Sequence, residues 1–257
     1  MKINEMYSAM LLIFILFNVA VGTIVYKKNH NRVKLSFLKL LLAISIYSFG
    51  YSQEILNTDL DKVMFWIKVE YLGLAFISYS WIMFFIELSG NLEGIIQRVN
   101  KVLIIFSTVI VAIVWTTEFH HLFYKSVSMA DKGGFFLLDI ERGPLYHLFS
   151  GYNLFVILVT TYITVYMIVK YSGTIRKQFV MLAMALFFAW ISQYMNTFLL
   201  MPYGFDMAPF FLCILDVIIG YSVIKYKMVS ILPIAYDKVF ENMNSNNRIQ
   251  YYQYAKT

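Results

Sequence analysis

The sequence predicts an all-α membrane protein, a bundle of seven transmembrane helices, and three observations carry that prediction. Of the 257 residues, 60% are hydrophobic and 14% charged, where a soluble domain carries about a quarter charged residues. Seven apolar runs of spanning length follow one another, at roughly 6–26, 35–56, 63–89, 102–117, 146–169, 178–200 and 208–225. The lysines and arginines around them alternate in density. One set of connections and the C-terminal tail hold 14: Lys27, Lys28, Arg32, Lys34, Arg98, Lys101, Lys170, Arg176, Lys177, Lys225, Lys227, Lys238, Arg248 and Lys256. The other side holds 5: Lys2, Lys62, Lys125, Lys132 and Arg142. Positive charge marks the cytoplasmic face, so the N-terminus is expected outside and the C-terminus inside.

The first run invites a signal-peptide reading because it passes the small residues Ala20 and Gly22. It continues beyond them and stops at KKNHNRVK, a stop-transfer cluster, which favours a first span. In the second and third runs Lys39 and Glu87 fall near the cytoplasmic ends, where snorkelling accounts for them, and Glu54 and Lys68 lie close to the outer surface. The fourth run is the shortest. After it comes a long connection, residues 118–145, in which HLFYKSVSM, ADKGG and FFLLDIE read as two short strands about a Gly-rich turn, with an irregular loop as the alternative. Gly143-Pro144 then opens the fifth helix, with proline suited to the first turn.

Three features within the spans invite a chemical reading. Glu70 sits about two turns into the third helix, on a face shared with Trp66 and Leu74. On the sixth helix Trp190, Gln193 and Asn196 recur every three residues and should face the interior, as interhelical glue or as a cavity wall. In the seventh, MAPFFLCILDVIIGYSVIKYK places Asp216 near the bilayer midplane, where a charge costs at least about 2.5–3.5 kcal/mol. Asp216 is expected to face the bundle, as a switch or as simple glue.

Other classes find little support. The net charge of +6 is distributed by topology, not gathered in a nucleic-acid patch. Cys213 is the single cysteine, so neither an internal disulfide nor a cysteine-based metal site is expected. His120, His121 and His147 cluster in or beside one loop, but adjacent histidines point apart, and no metal site is expected. No G-x-S-x-G elbow and no P-loop occur. A retinal-type Schiff base would need a mid-helix lysine where the seventh helix has Asp216. No cofactor is implied.

Several motifs, in order, carry a resemblance: FWIKVEYLGLAFISYSWIMFFIELSG, TTEFHHLFY, GPLYHLFSGYN, IRKQFVMLAMALFFAW, YGFDMAP and YKMVSILPIAYDKVFENM. The chain resembles the N-terminal seven-transmembrane sensor region of bacterial histidine kinases and some diguanylate cyclases. That resemblance implies a multi-pass protein of the bacterial plasma membrane. It also implies a signal passed through the segment after Pro233 to a cytoplasmic kinase or cyclase output, and a possible homodimer. Residues 1–231 are expected to form the sensor domain. Residues 232–257 are expected to form a short amphipathic signalling segment and tail, too short for an output domain, so that this chain is not itself an enzyme.

The expected signal site is an outer cavity built from Glu54, Trp66, Glu70, Tyr71, Gln193, Asn196 and Asp206, roofed by the loop around His120 and Tyr146. Asp216 and Pro233 are the expected coupling residues. An amine, a peptide and a lipid are equally compatible as the signal. The rival reading is a small proton-coupled transporter that uses Glu70 and Asp216 as its relay. Against it, the chain shows no internal repeat and no matching pair of broken helices.

Overall fold

A computed structural model describes residues 3–28, 32–89, 93–131, 136–198, 200 and 205–226. Its elements are α1 (Ile3–Lys28), α2 (Arg32–Glu54), α3 (Leu60–Ser89), α4 (Glu93–Trp115), a single turn α5 (Thr117–His120), strands β1 (Tyr124–Asp131) and β2 (Phe136–Arg142), then α6 (Pro144–Lys170), α7 (Gly173–Thr197) and α8 (Ala208–Tyr226). Among the described residues, α1, α2, α3, α4, α6 and α7 are long and apolar enough to cross a membrane. The described part of α8 has 19 residues, about 28 Å of helix, which nearly matches a hydrocarbon core of about 30 Å. The amphipathic stretch expected from residue 232 onward lies outside the described residues.

Two helices run beyond the apolar stretches that announce them. The fourth apolar run begins at 102, yet α4 begins at Glu93. Arg98, Asn100 and Lys101 interrupt the hydropathy but not the backbone ladder. Arg98 and Lys101 are exposed, and Asn100 Oδ1 accepts a hydrogen bond of 2.8 Å from the Tyr79 hydroxyl. Likewise α7 begins at Gly173, five residues ahead of its apolar run, with Arg176 and Lys177 in the added turn. Helices project past the hydrocarbon into the interface, where polar side chains are at ease.

The helices close a ring in the order α1, α2, α3, α6, α7, α8, with α8 returning to both α1 and α2, and α4 packs outside on α3. The tightest pairing is α2 on α3. A Cβ on Gly73 would stand 2.3 Å from the Ala43 carbonyl oxygen and 2.6 Å from the Tyr47 nitrogen, and one on Gly50 would stand 2.9 Å from the Glu70 nitrogen. Small residues at such crossings let two backbones meet where no hydrophobic drive separates protein from lipid. Much of α3 is buried, from Val63 to Ser89. The central core joins Phe37, Ile44 and Tyr47 of α2 to Trp81, Phe84 and Phe85 of α3, Phe179 of α7 and Ile219 of α8.

The β1–β2 hairpin lies across one end of the ring. Its register pairs Tyr124 with Arg142 and Val127 with Ile140, with a bulge between Tyr124 and Ser126; its turn, 132–135, lies outside the described residues. At its base, Phe123 and Tyr124 pack with Val63, Met64, Tyr71, Ile110 and Phe149. Near its tip, Leu137 joins Leu11, Tyr51, Ile55, Phe205 and Phe210. The hairpin thus bridges from the α3, α4 and α6 side of the ring to the α1, α2 and α8 side.

Candidate functional site

Beneath the hairpin lies a cavity of about 260 Å³, close to the lower end of the range of small-molecule sites, about 300–1,000 Å³. Five helices and the hairpin supply its wall. Each helix contributes a stripe set by the helical repeat. From α2 come Tyr47, Tyr51 and Glu54, at steps of four and three; from α6 come Tyr146, Ser150, Asn153 and Ile157, at steps of four, three and four. From α3 come Ile67, Glu70, Tyr71, Leu74, Ile77, Ser78 and Trp81. The loop before α8 adds Asp206, and the hairpin adds Asp139 and Arg142.

Of the residues expected at a signal site, Glu54, Glu70, Tyr71, Tyr146, Gln193, Asn196 and Asp206 all line this cavity. Trp66 and His120 are not among the residues that line it. Trp66 follows Glu70 and Gly73 along the edge of α3 that meets α2, and it packs edge-on against Phe49 at 5.7 Å and Phe65 at 5.2 Å between ring centroids. His120 is used up locally. Its Nδ1 accepts from the Leu122 N–H at 3.0 Å, which leaves Nε2 to donate to the Ile113 carbonyl at 3.0 Å. Its ring therefore holds the turn between α4 and β1.

The cavity floor is acidic. Gly50 lets the backbone of α3 approach α2 at Glu70, and Glu54, Glu70 and Asp206 all belong to this wall. Asp206 is held from three sides: the Tyr47 hydroxyl donates to Oδ2 at 2.9 Å, the Ala208 N–H donates to Oδ1 at 2.8 Å, and the Asp206 N–H donates to the Tyr51 hydroxyl at 2.6 Å. Burial pushes the Asp206 carboxyl above its ordinary pKa, although the Ala208 and Tyr47 bonds and the Arg142 charge all pull it down. The carboxyl also ties off the first turn of α8 as an Asx-type turn.

The roof is built on Arg142. Its Nη1 donates to the Asn196 carbonyl at 2.8 Å and its Nη2 to Asn196 Oδ1 at 2.9 Å, and its guanidinium lies 4.5 Å from the Tyr146 ring centre. The Tyr146 hydroxyl donates to the same Oδ1 at 2.8 Å. Asn196 thereby ties the end of β2 to α6 and α7. The rest of its stripe also faces α6: Gln193 Nε2 donates to Ser150 Oγ at 3.1 Å, and Trp190 Nε1 to Thr161 Oγ1 at 3.1 Å. On the far wall the Tyr124 hydroxyl donates to the Tyr71 hydroxyl at 3.0 Å. Arg142, Tyr47 and Tyr51 were not singled out in the sequence. The four–three spacing of Tyr47, Tyr51 and Glu54 was a readable signal; nothing local announced the role of Arg142.

Asp216 lies apart from this cavity. It is fully buried in the middle of α8, and Asn18 of α1 donates to its Oδ2 at 2.8 Å. The Asn18 amide also reaches Ser45 Oγ of α2 at 3.3 Å, so α1, α2 and α8 are joined near mid-membrane by side-chain hydrogen bonds. The carboxyl points into the bundle, as a polar group surrounded by lipid must. Pro233, the other expected coupling residue, lies outside the described residues.

Spanning helices closed around a capped polar cavity define a polytopic membrane domain. Residues 10–233 match the family described as the N-terminal 7TM region of histidine kinase, and the chain belongs to that family. It is a multi-pass membrane sensor domain. No curated protein matches the chain.

Proposed function

We propose that this domain receives a small signal molecule from outside the cell in the hairpin-capped cavity and passes the event along α8 to a cytoplasmic histidine-kinase or cyclase output. One observation carries the reading: Asp206, Ala208, Leu212 and Leu215 all belong to the cavity wall. A guest therefore touches the helix that leads toward the C-terminal segment. A ligand shifts a conformational equilibrium only through contacts that differ between the two states, and α8 offers such contacts at its first turn. The Asn18–Asp216 bond is the point where a rotation or slide of α8 against α1 would be registered, and Pro233 would carry the motion onward. The charge asymmetry of the connections supports an outward hairpin in a bacterial plasma membrane. Pairing of two copies is expected from the kinase family.

The transporter alternative needs Glu70 and Asp216 on one path. Asp216 is absent from the cavity wall and engaged with Asn18, so no observation favours that reading. The test joins the chain, through its own C-terminal segment, to a histidine-kinase module in proteoliposomes. Filling the cavity by Asn153→Trp is expected to change autophosphorylation at least fivefold, in either direction. Unchanged phosphorylation, or accumulation of a solute that Glu70→Gln abolishes, would sink the sensor reading.

A further inference from the structure

The charges around the cavity narrow the chemistry of its occupant. Among the described residues the wall carries the carboxyl groups of Glu54, Glu70 and Asp206 and one cationic side chain, Arg142. That guanidinium already spends both terminal nitrogens on Asn196 and its face on Tyr146. Glu70 is only 6% exposed, and its Oε1 receives no hydrogen bond from any described N–H or hydroxyl group. An acidic group held in this way is costly unless something neutralises or pairs with it.

Three kinds of guest could face this wall. An anion would meet an excess of carboxyl groups. A neutral guest would leave Glu70 Oε1 as it stands. A hard divalent cation takes about six oxygen ligands, and the described residues contain no group of three His, Cys, Asp or Glu side chains arranged to hold a metal ion. An organic cation satisfies both halves of the wall. Its N–H groups can donate to the carboxyls, and the wall holds Tyr47, Tyr51, Tyr71 and Tyr124, of the ring type that attracts such cations. Leu74, Ile77, Val156 and Ile157 supply an apolar bed for its body.

We infer that the cavity takes a small organic amine, protonated, with its ammonium group against Glu70, Glu54 and Asp206 and its hydrocarbon part along α3 and α6. The inference rests on the receptor reading above and names the class of ligand that reading left open. Binding brings N–H donors to Glu70 Oε1, which receives none from the described groups of the protein.

The experiment uses the purified chain in lipid nanodiscs and three probes of one shape: phenethylamine, phenethyl alcohol and phenylacetate. Calorimetry is expected to show the amine binding most tightly. Glu70→Gln should weaken the amine tenfold or more and leave the alcohol unchanged, with Glu54→Gln as the second variant should Glu70→Gln lose its unliganded melting transition. The inference is overturned if the alcohol or the carboxylate binds as tightly as the amine, or if both glutamine variants hold the amine within twofold of wild type. It is also overturned if no probe binds. The receptor reading fails separately, when Asn153→Trp leaves kinase output unchanged.

Discussion

The hydroxyl of Tyr47, in the middle of α2, donates a 2.9 Å hydrogen bond to Asp206 Oδ2 across 159 residues of sequence. The bond ties the helix that supplies the acidic floor to the turn that starts α8. Tyr47→Phe removes it without changing shape, and a bond of this type contributes about 0.5–3 kcal/mol, more when the acceptor is ionised. We expect the variant to melt at lower temperature in nanodiscs, with its helical content by circular dichroism unchanged. A melting temperature equal to wild type would show that the bond contributes nothing.

Asp206 makes stability depend on pH in a definite direction. The folded state raises its pKa above the ordinary 3.8, so the fold favours the neutral acid. The associated stability is fully present below the unfolded value and is lost as pH rises through the raised folded value. Asp206→Asn is neutral at every pH. Melting curves taken from about pH 4 upward should show wild type losing ground to Asp206→Asn, and parallel curves would refute the assignment.

The bond from Asn18 to Asp216 offers a test of helix coupling. Interhelical hydrogen bonds in membranes contribute about 0.6 kcal/mol on average and about 1.7 at most. Asn18→Ala should therefore cost about 0.5–2 kcal/mol, while Asp216→Asn, which keeps a polar partner, should cost less. Double-mutant analysis by steric trapping would measure the coupling, and a value of zero would leave α1 and α8 held by packing alone.

The crossing of α2 and α3 tolerates no added carbon. Gly73→Ala would set a Cβ 2.3 Å from the Ala43 carbonyl oxygen, and relief by backbone movement costs about 1–3 kcal/mol. Gly151 on α6 meets nothing within 4 Å, so Gly151→Ala should be neutral or stabilising by about 0.5–1 kcal/mol through helix propensity. Thermal melts of the pair would reverse this order only if the helices cross elsewhere.

Much of the cavity was legible because membrane helices report their interior faces through polar residues placed at steps of three and four. Glu70, Gln193 and Asn196 stood out against an apolar background, and each lines the cavity. Trp66 stands apart from the wall because its ring packs on Phe49 and Phe65. His120 stands apart as well, because a polar residue in a turn serves the backbone nearest to it as readily as a distant guest. Arg142 escaped notice because its partner, Asn196, is 54 residues away.

The sequence by itself determined the apolar spans, the charge asymmetry, the strand pair of the long connection and the family, since hydropathy, charge and turn chemistry are properties of short stretches of chain. Only the tertiary structure decided which polar residues meet. Tyr47 meets Asp206 because α8 returns against α2, Glu70 meets α2 because Gly50 lets two backbones close, and Asn18 meets Asp216 because the first and last described spans are neighbours. These pairings depend on the order of helices around the ring, and in an apolar solvent that order is set by close packing between distant segments, which no local pattern records.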